Sequence, residues 1–306
     1  MLEPAAIAEA MFEATRRAAT RLPPDVKAAL QAALAEETDP VSRAQLESSL
    51  HNAQLAEEGN GLVCADTGFP LFFITAGPET RINGGFGTLK QTARDAVARA
   101  TAANLLRPTM VDPIARTNPG DNIGPGMPKL ELTFAETGAG LDIIAAPKGG
   151  GSEIFGTFYR MMYPSDGMDG IKTFAIQCIR DACYAGKICP PAIIGIGIGG
   201  TADLCMKLAK EAALLTPVGA TNPDPVLEAL EHDLLAASRS LGIGPMGAHG
   251  INAVLAVSIR KAVTHTAALP VAINAQCMVG RRWRAVMDSD GRTTYTGILA
   301  QPESQE

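Results

Sequence analysis

The chain has 306 residues, of which 46% are apolar and 19% charged, with a formal net charge of −6. That length suits one large α/β domain or two modest ones, and the composition excludes a disordered, fibrous or collagen-like chain. The acidic balance, with no run of Lys or Arg, excludes nucleic acid held by non-specific electrostatics; the apolar runs are too short or too glycine-rich to span a bilayer, and the first residues lack a signal peptide, so a cytoplasmic protein is expected.

The first sixty residues carry helical periodicity. "PAAIAEAMFEATRRAATRL" sets Ile7, Met11, Ala14 and Ala18 on one stripe, "DVKAALQAALAEE" follows Pro23 and Pro24, and "SRAQLESSLHNAQLAEEGNG" ends at the Asn60-Gly61 turn. The period then changes: "GLVCADTG" and "PLFFITAG" read as two short strands of a hairpin with Cys64 and Asp66 at its tip, followed by a helix over "GTLKQTARDAVARATAANLL". From Arg107 to Met127, "RPTMVDPIARTNPGDNIGPGM" is so dense in Pro, Gly, Asn and Asp that an irregular loop, either functional or disordered, is expected.

"KLELTFAETGAGLDIIAAPKGGG" then supplies two strands around Thr137-Gly138 and ends in a glycine run. A helix near Gly170 to Gly186, a buried strand at Ala192 to Ile198, a helix after Thr201, a further helix over "DPVLEALEHDLLAASRSLG", a strand in "ALPVAINAQC" and a hairpin around Asp290-Gly291 complete the pattern. The expected fold is α/β, with mixed sheets flanked by helices after an all-helical N-terminal segment. Residues 1–60 form that segment and 61–306 the α/β part of one continuous domain, with no internal repeat and no clear linker.

Six cysteines without a C-x-x-C pair read as thiols rather than as bridges, a zinc ribbon or a thioredoxin-like motif. Cys64, Cys189 and Cys277 lie at element boundaries, where a ligand has room, whereas Cys178, Cys183 and Cys205 fall within helical patterns. For any one of them the plain alternative is a small buried hydrophobe. "GIGIGG" places Gly195, Gly197 and Gly200 in G-x-G-x-x-G spacing between a strand and a helix, which admits an NAD-binding oxidoreductase as the rival function. The acidic residue that such a site needs about 20 positions further on is replaced by the loop "TPVGATNPDP", so close strand–helix packing explains the glycines better. "PKGGGSE", with Lys148 beside three glycines, reads as an anion-binding nest or a flexible loop. His51 and His232 sit on polar helix faces, and His249 and His265 in loops.

In order along the chain, "CADTG", "NLLRP", "RTNPGDN", "KGGGSE", "CPPAIIGIGIGGT" and the "TH" before "VAINAQC" resemble the class I iron-sulphur fumarate hydratases and the related L(+)-tartrate dehydratases, from Cys64 to Arg282. In size the chain is similar to the separate alpha subunit of the two-subunit members. The resemblance implies a hydro-lyase acting on a four-carbon dicarboxylate, fumarate/L-malate or L-tartrate/oxaloacetate. It implies a [4Fe-4S] cluster on Cys64, Cys189 and Cys277 with one iron left open as a Lewis acid.

By the same resemblance Asp66 takes part in proton handling, Arg107 pairs with a substrate carboxylate, Gly151 offers a backbone contact and His265 reaches the substrate. It also implies a beta subunit that supplies the rest of the active site, in a hetero-oligomer such as α2β2. Cys183 is the rival of Cys189 but lacks the following prolines that hold the chain extended. Two departures stand out: Ala65 occupies a position where many members have Gln, and "IFG" follows "GGGSE".

Overall fold

The computed structural model describes residues 1–299. Two compact units, each built from discontinuous stretches, divide the chain: Met1–Pro23, Ala53–Gly150 and Arg281–Ile298 make the first, Pro24–Asn52 and Gly151–Gly280 the second. The N-terminal region is all helical, with α1 (Pro4–Thr20), α2 (Pro24–Glu36) and α3 (Pro40–Glu57). Each opens on a proline, which has no N–H to leave unpaired in a first turn and whose fixed φ suits one.

The first unit holds a five-stranded mixed sheet in the order β2-β1-β3-β8-β9, from β1 (Leu71–Ala76), β2 (Lys129–Phe134), β3 (Leu141–Ala145), β8 (Trp283–Met287) and β9 (Thr293–Thr296). β1 lies between β2, its parallel partner, and β3, its antiparallel one, with Phe73 opposite both Glu131 and Ile144. A parallel pair requires a crossover. Here that crossover is α4 (Leu89–Ala102) followed by the long loop to Pro128. α1 and α4 share a core with the sheet, and their alanines, Ala10, Ala14 and Ala18 facing Ala93, Ala96 and Ala100, let the backbones approach closely.

The second unit holds a four-stranded sheet in the order β4-β7-β5-β6, from β4 (Thr157–Met162), β5 (Ala192–Ile198), β6 (Val254–Lys261) and β7 (Leu269–Gln276). α6 (Gly167–Cys183) and α8 (Pro225–Arg239) share one core with it, while α7 (Ala202–Leu215) packs on β5 and β7 through Cys205, Ala209 and Ala272. α8 is started by Asp224, whose carboxylate accepts the N–H groups of Val226 and Leu227. α2 is anchored in this unit through Glu37, 2% exposed, which accepts from Asn252 Nδ2 at 2.8 Å.

The α/β expectation and most elements agree with this architecture. One strand does not form: residues 61–68 are irregular, so no hairpin presents Cys64 and Asp66. The cause lies in side chains that bind distant backbone, Asp66 to the Gly150 N–H and Thr67 to the Arg107 N–H, and in Gly68, at φ +69, where a Cβ would stand 1.8 Å from the Lys148 carbonyl oxygen. β4 and β6 are not among the expected elements, although Gly156 and Pro164 bound the first and a glycine-rich stretch, residues 242–250, precedes the second. The glycine run opens a short helix, α5 (Gly150–Phe155), rather than a loop, and Lys148 is fully buried.

Candidate functional site

In the first unit the segment 63–69 is pinned at several points. Val63 N–H donates to Ala19 O at 2.9 Å, and Phe69 and Lys148 exchange backbone hydrogen bonds at 2.7 and 2.9 Å. Between these anchors, Asp66 Oδ2 accepts the Gly150 N–H at 2.7 Å, and the buried Thr67 Oγ1 accepts the Arg107 N–H at 2.7 Å. Arg107 Nη1 lies 3.4 Å from Ala65 O, so the guanidinium rests against the backbone between Cys64 and Asp66. Of the residues singled out from sequence, this unit therefore gathers Asp66, Arg107 and the segment carrying Cys64.

The loop from Arg107 to Met127 is irregular, as expected, and ordered by Asx turns. Asp112 Oδ1 accepts from Ile114 and Ala115, bonds that hold its carboxyl below the usual range, and Asn118 Oδ1 accepts from Gly120. Such turns replace a ladder with side chains.

In the second unit the register Ile193↔Gln276 sets the start of β5 and the end of β7 at one end of the sheet. Cys189 and Cys277 stand just beyond those strand ends and share a link, since Met278 N–H donates to Cys189 O at 3.1 Å. Cys189 has φ +55, a conformation rare for a residue with a Cβ, and its N–H donates to Gly186 O at 2.9 Å. Gly151 belongs to the same neighbourhood: a Cβ there would come within 2.3 Å of Lys187 O, two residues before Cys189.

His265 lies elsewhere. It precedes β7 while Cys277 follows it, and eight strand residues span roughly 25 Å. It is exposed, and its Nδ1 accepts the Ala267 N–H at 3.2 Å, an arrangement that puts the ring proton of the neutral form on Nε2.

The remaining cysteines behave as core. Burial pushes the Cys183 and Cys178 thiols up to about 12, with the Arg160 charge opposing the shift at Cys178, and the Cys205 thiol up to about 11. Cys205 Sγ donates to Gly197 O at 3.2 Å and Cys183 Sγ to Ala253 O at 3.6 Å. These are satisfied fillers. The glycines of β5 are explained in the same way, because a Cβ at Gly195 would meet Ala209 O at 2.1 Å and one at Gly197 would meet Cys205 O at 2.1 Å. Close approach of α7, not a dinucleotide, accounts for the fingerprint.

Among the described residues no three His, Cys, Asp or Glu side chains form a group able to hold a metal ion. A four-iron cube makes a different demand, since each thiolate binds its own corner rather than one shared centre. The chemistry around Cys277 fits such an anionic group. Gln276 Nε2, on the residue before it, is a buried donor with no acceptor among the described residues, and the sulfides of a cluster accept hydrogen bonds of this kind. No helix among the described residues is long and apolar enough to cross a membrane.

Residues 8–286 match the family model described as "Fumarate hydratase (Fumerase)". A Methanocaldococcus jannaschii protein with the provisional name L(+)-tartrate dehydratase subunit alpha is 40% identical over 277 residues, covering 90% of this chain and 95% of that one. The protein named L(+)-tartrate dehydratase subunit alpha in Escherichia coli O157:H7 is 29% identical over 284 residues, covering 93% of this chain and 91% of its own. Its namesake in Escherichia coli strain UTI89 is 30% identical over 276 residues, covering 90% and 89%.

Proposed function

Because the chain belongs to the fumarate hydratase (Fumerase) family, we propose that it is the alpha subunit of a hydro-lyase that adds water to, or removes it from, a four-carbon dicarboxylate. The relatives' names support both halves of this reading, the dehydratase activity and the need for a second kind of subunit. The substrate pair is fumarate/L-malate or L-tartrate/oxaloacetate. The observation that carries the reading is the packing in the first unit of the Cys64–Asp66 segment against Arg107 and Gly150.

Cys64, Cys189 and Cys277 would hold a [4Fe-4S] cluster, which when bound supplies a Lewis acid for the departing hydroxyl group. The other tasks fall to this chain's own residues. Arg107 pairs with a substrate carboxylate, for which a planar guanidinium gives two parallel hydrogen bonds. In dehydration a C–O bond breaks, hydroxide leaves, and the electron pair of the neighbouring C–H bond forms the double bond while its proton passes to a base. Asp66 takes part in that proton handling, a reading supported by Oδ2 being anchored on the Gly150 N–H with Oδ1 outside that bond. Gly151 offers its backbone to the substrate.

His265, at the sheet end opposite Cys189 and Cys277, is read as the histidine that reaches the substrate, in an assembly such as α2β2. A beta subunit supplies the remaining substrate contacts. The chain with its beta partner, purified without oxygen, is expected to be brown and to turn over S-malate or L-tartrate. The chain alone is expected to show little activity; full turnover without a second polypeptide would contradict the subunit assignment.

A further inference from the structure

We infer that Asn122 is a positioning residue for Arg107, fixing the main chain from which the guanidinium reaches a substrate carboxylate. The inference rests on the reading of Arg107 as the carboxylate ligand. Arg107 is itself exposed, and among the described residues Nη1 makes only the long 3.4 Å contact to Ala65 O, so its placement depends on where its backbone is held. That backbone lies in a loop with no ladder to hold it.

Asn122 does the holding. It is 1% exposed, and its side chain uses two acceptor and two donor positions on four partners. Oδ1 accepts from Thr109 N–H at 2.9 Å and Met110 N–H at 3.1 Å; Nδ2 donates to Arg107 O at 2.9 Å and to Thr101 Oγ1 at 3.0 Å. Pro108 has no N–H, and its carbonyl accepts from Asn118 Nδ2 at 2.8 Å. Thr67 completes the accounting from the other side by accepting the Arg107 N–H, which ties this turn to the segment of Asp66.

The anchor is a firm one. Thr101 lies on α4 and its hydroxyl also donates to Val97 O at 2.8 Å, so the network ends on a helix of the core rather than on another loop. Asn122 sits at φ +63, a conformation Asn tolerates better than most residues with a side chain and that glycine adopts freely. Misplacing a binding group by about 1 Å is enough to weaken catalysis strongly.

The test is a double-mutant cycle on the cluster-loaded chain with its beta partner, assayed with S-malate and L-tartrate. Asn122→Gly keeps the backbone conformation and removes all four bonds; it is expected to raise KM about tenfold or more, with kcat within about twofold. Thr67→Val is expected to act in the same direction, and Thr67→Ser to restore the wild-type value. In an Arg107→Ala background, Asn122→Gly should change kcat/KM by less than about twofold.

An equal KM penalty in that background, or an unchanged KM in Asn122→Gly itself, would make Asn122 a purely structural residue and overturn the inference. If circular dichroism shows Asn122→Gly unfolded, the Thr67→Val cycle with Arg107→Ala decides by the same criterion. Wild-type kinetics in Arg107→Ala alone would remove the carboxylate reading and this inference with it.

Discussion

Two sets of three cysteines divide this molecule. Cys178, Cys183 and Cys205 lie on helices, where Cys183 and Cys205 donate to backbone carbonyls and desolvation keeps all three thiols protonated far above neutral pH. Cys64 lies within the irregular stretch between α3 and β1, and Cys189 and Cys277 lie just beyond strand ends; Cys189 holds φ +55, and Gln276, next to Cys277, has a buried Nε2 with no acceptor among the described residues. The same residue type is a core filler in one place and a proposed ligand in the other. What separates them is local backbone and desolvation, not cysteine chemistry.

The largest test of that contrast is reactivity. With thiols near 12, against an ordinary value near 9, Cys178 and Cys183 should carry about a thousandfold less thiolate at pH 8 and resist iodoacetamide, which mass spectrometry of tryptic peptides would read. The pH dependence follows. These groups hold their protons more tightly folded than unfolded, so their contribution to stability is intact below about pH 9 and falls as pH rises toward about 12, giving an earlier onset of alkaline unfolding.

On the other side of the contrast, Arg107→Ala is expected to lower kcat/KM of the complex by about a hundredfold while leaving iron content unchanged, because it would remove a charged hydrogen bond to substrate and no ligand. Gly197→Ala forces a methyl group against Cys205 O and should cost about 2–3 kcal/mol by overpacking, seen as a lower midpoint in urea. The smallest effect belongs to Cys183→Ala, which should cost about 1–2 kcal/mol and leave iron content untouched.

Where local pattern decides structure, the sequence was readable. Ala192–Ile198 is a strand because a short apolar run is bounded by a proline pair and glycines, and the final hairpin turns at Asp290-Gly291. The element ends that carry Cys189 and Cys277 were visible for the same reason. Residues 61–68 deceived because their composition suits a strand, while Gly68 must meet the Lys148 backbone some eighty residues away, a demand no local window contains.

The interleaving of two units is equally silent, since α2 packs with a sheet that begins well over a hundred residues later. Asn122 was hidden among the many turn-forming residues of its loop; its bonds to Thr101 and Arg107 exist only once α4 and the loop are folded. The antiparallel register of β5 and β7, which unites two cysteines and sets His265 apart, is likewise a tertiary fact.

The measurement that bears most directly on the contrast is iron and sulfide analysis of the anaerobically reconstituted chain and its six single Cys→Ser variants. About four irons are expected in the wild type, with loss of iron in Cys64→Ser, Cys189→Ser and Cys277→Ser, and wild-type loading in Cys178→Ser, Cys183→Ser and Cys205→Ser. An iron-free wild type, or iron that survives in any of the first three and is lost in one of the last three, would contradict that division.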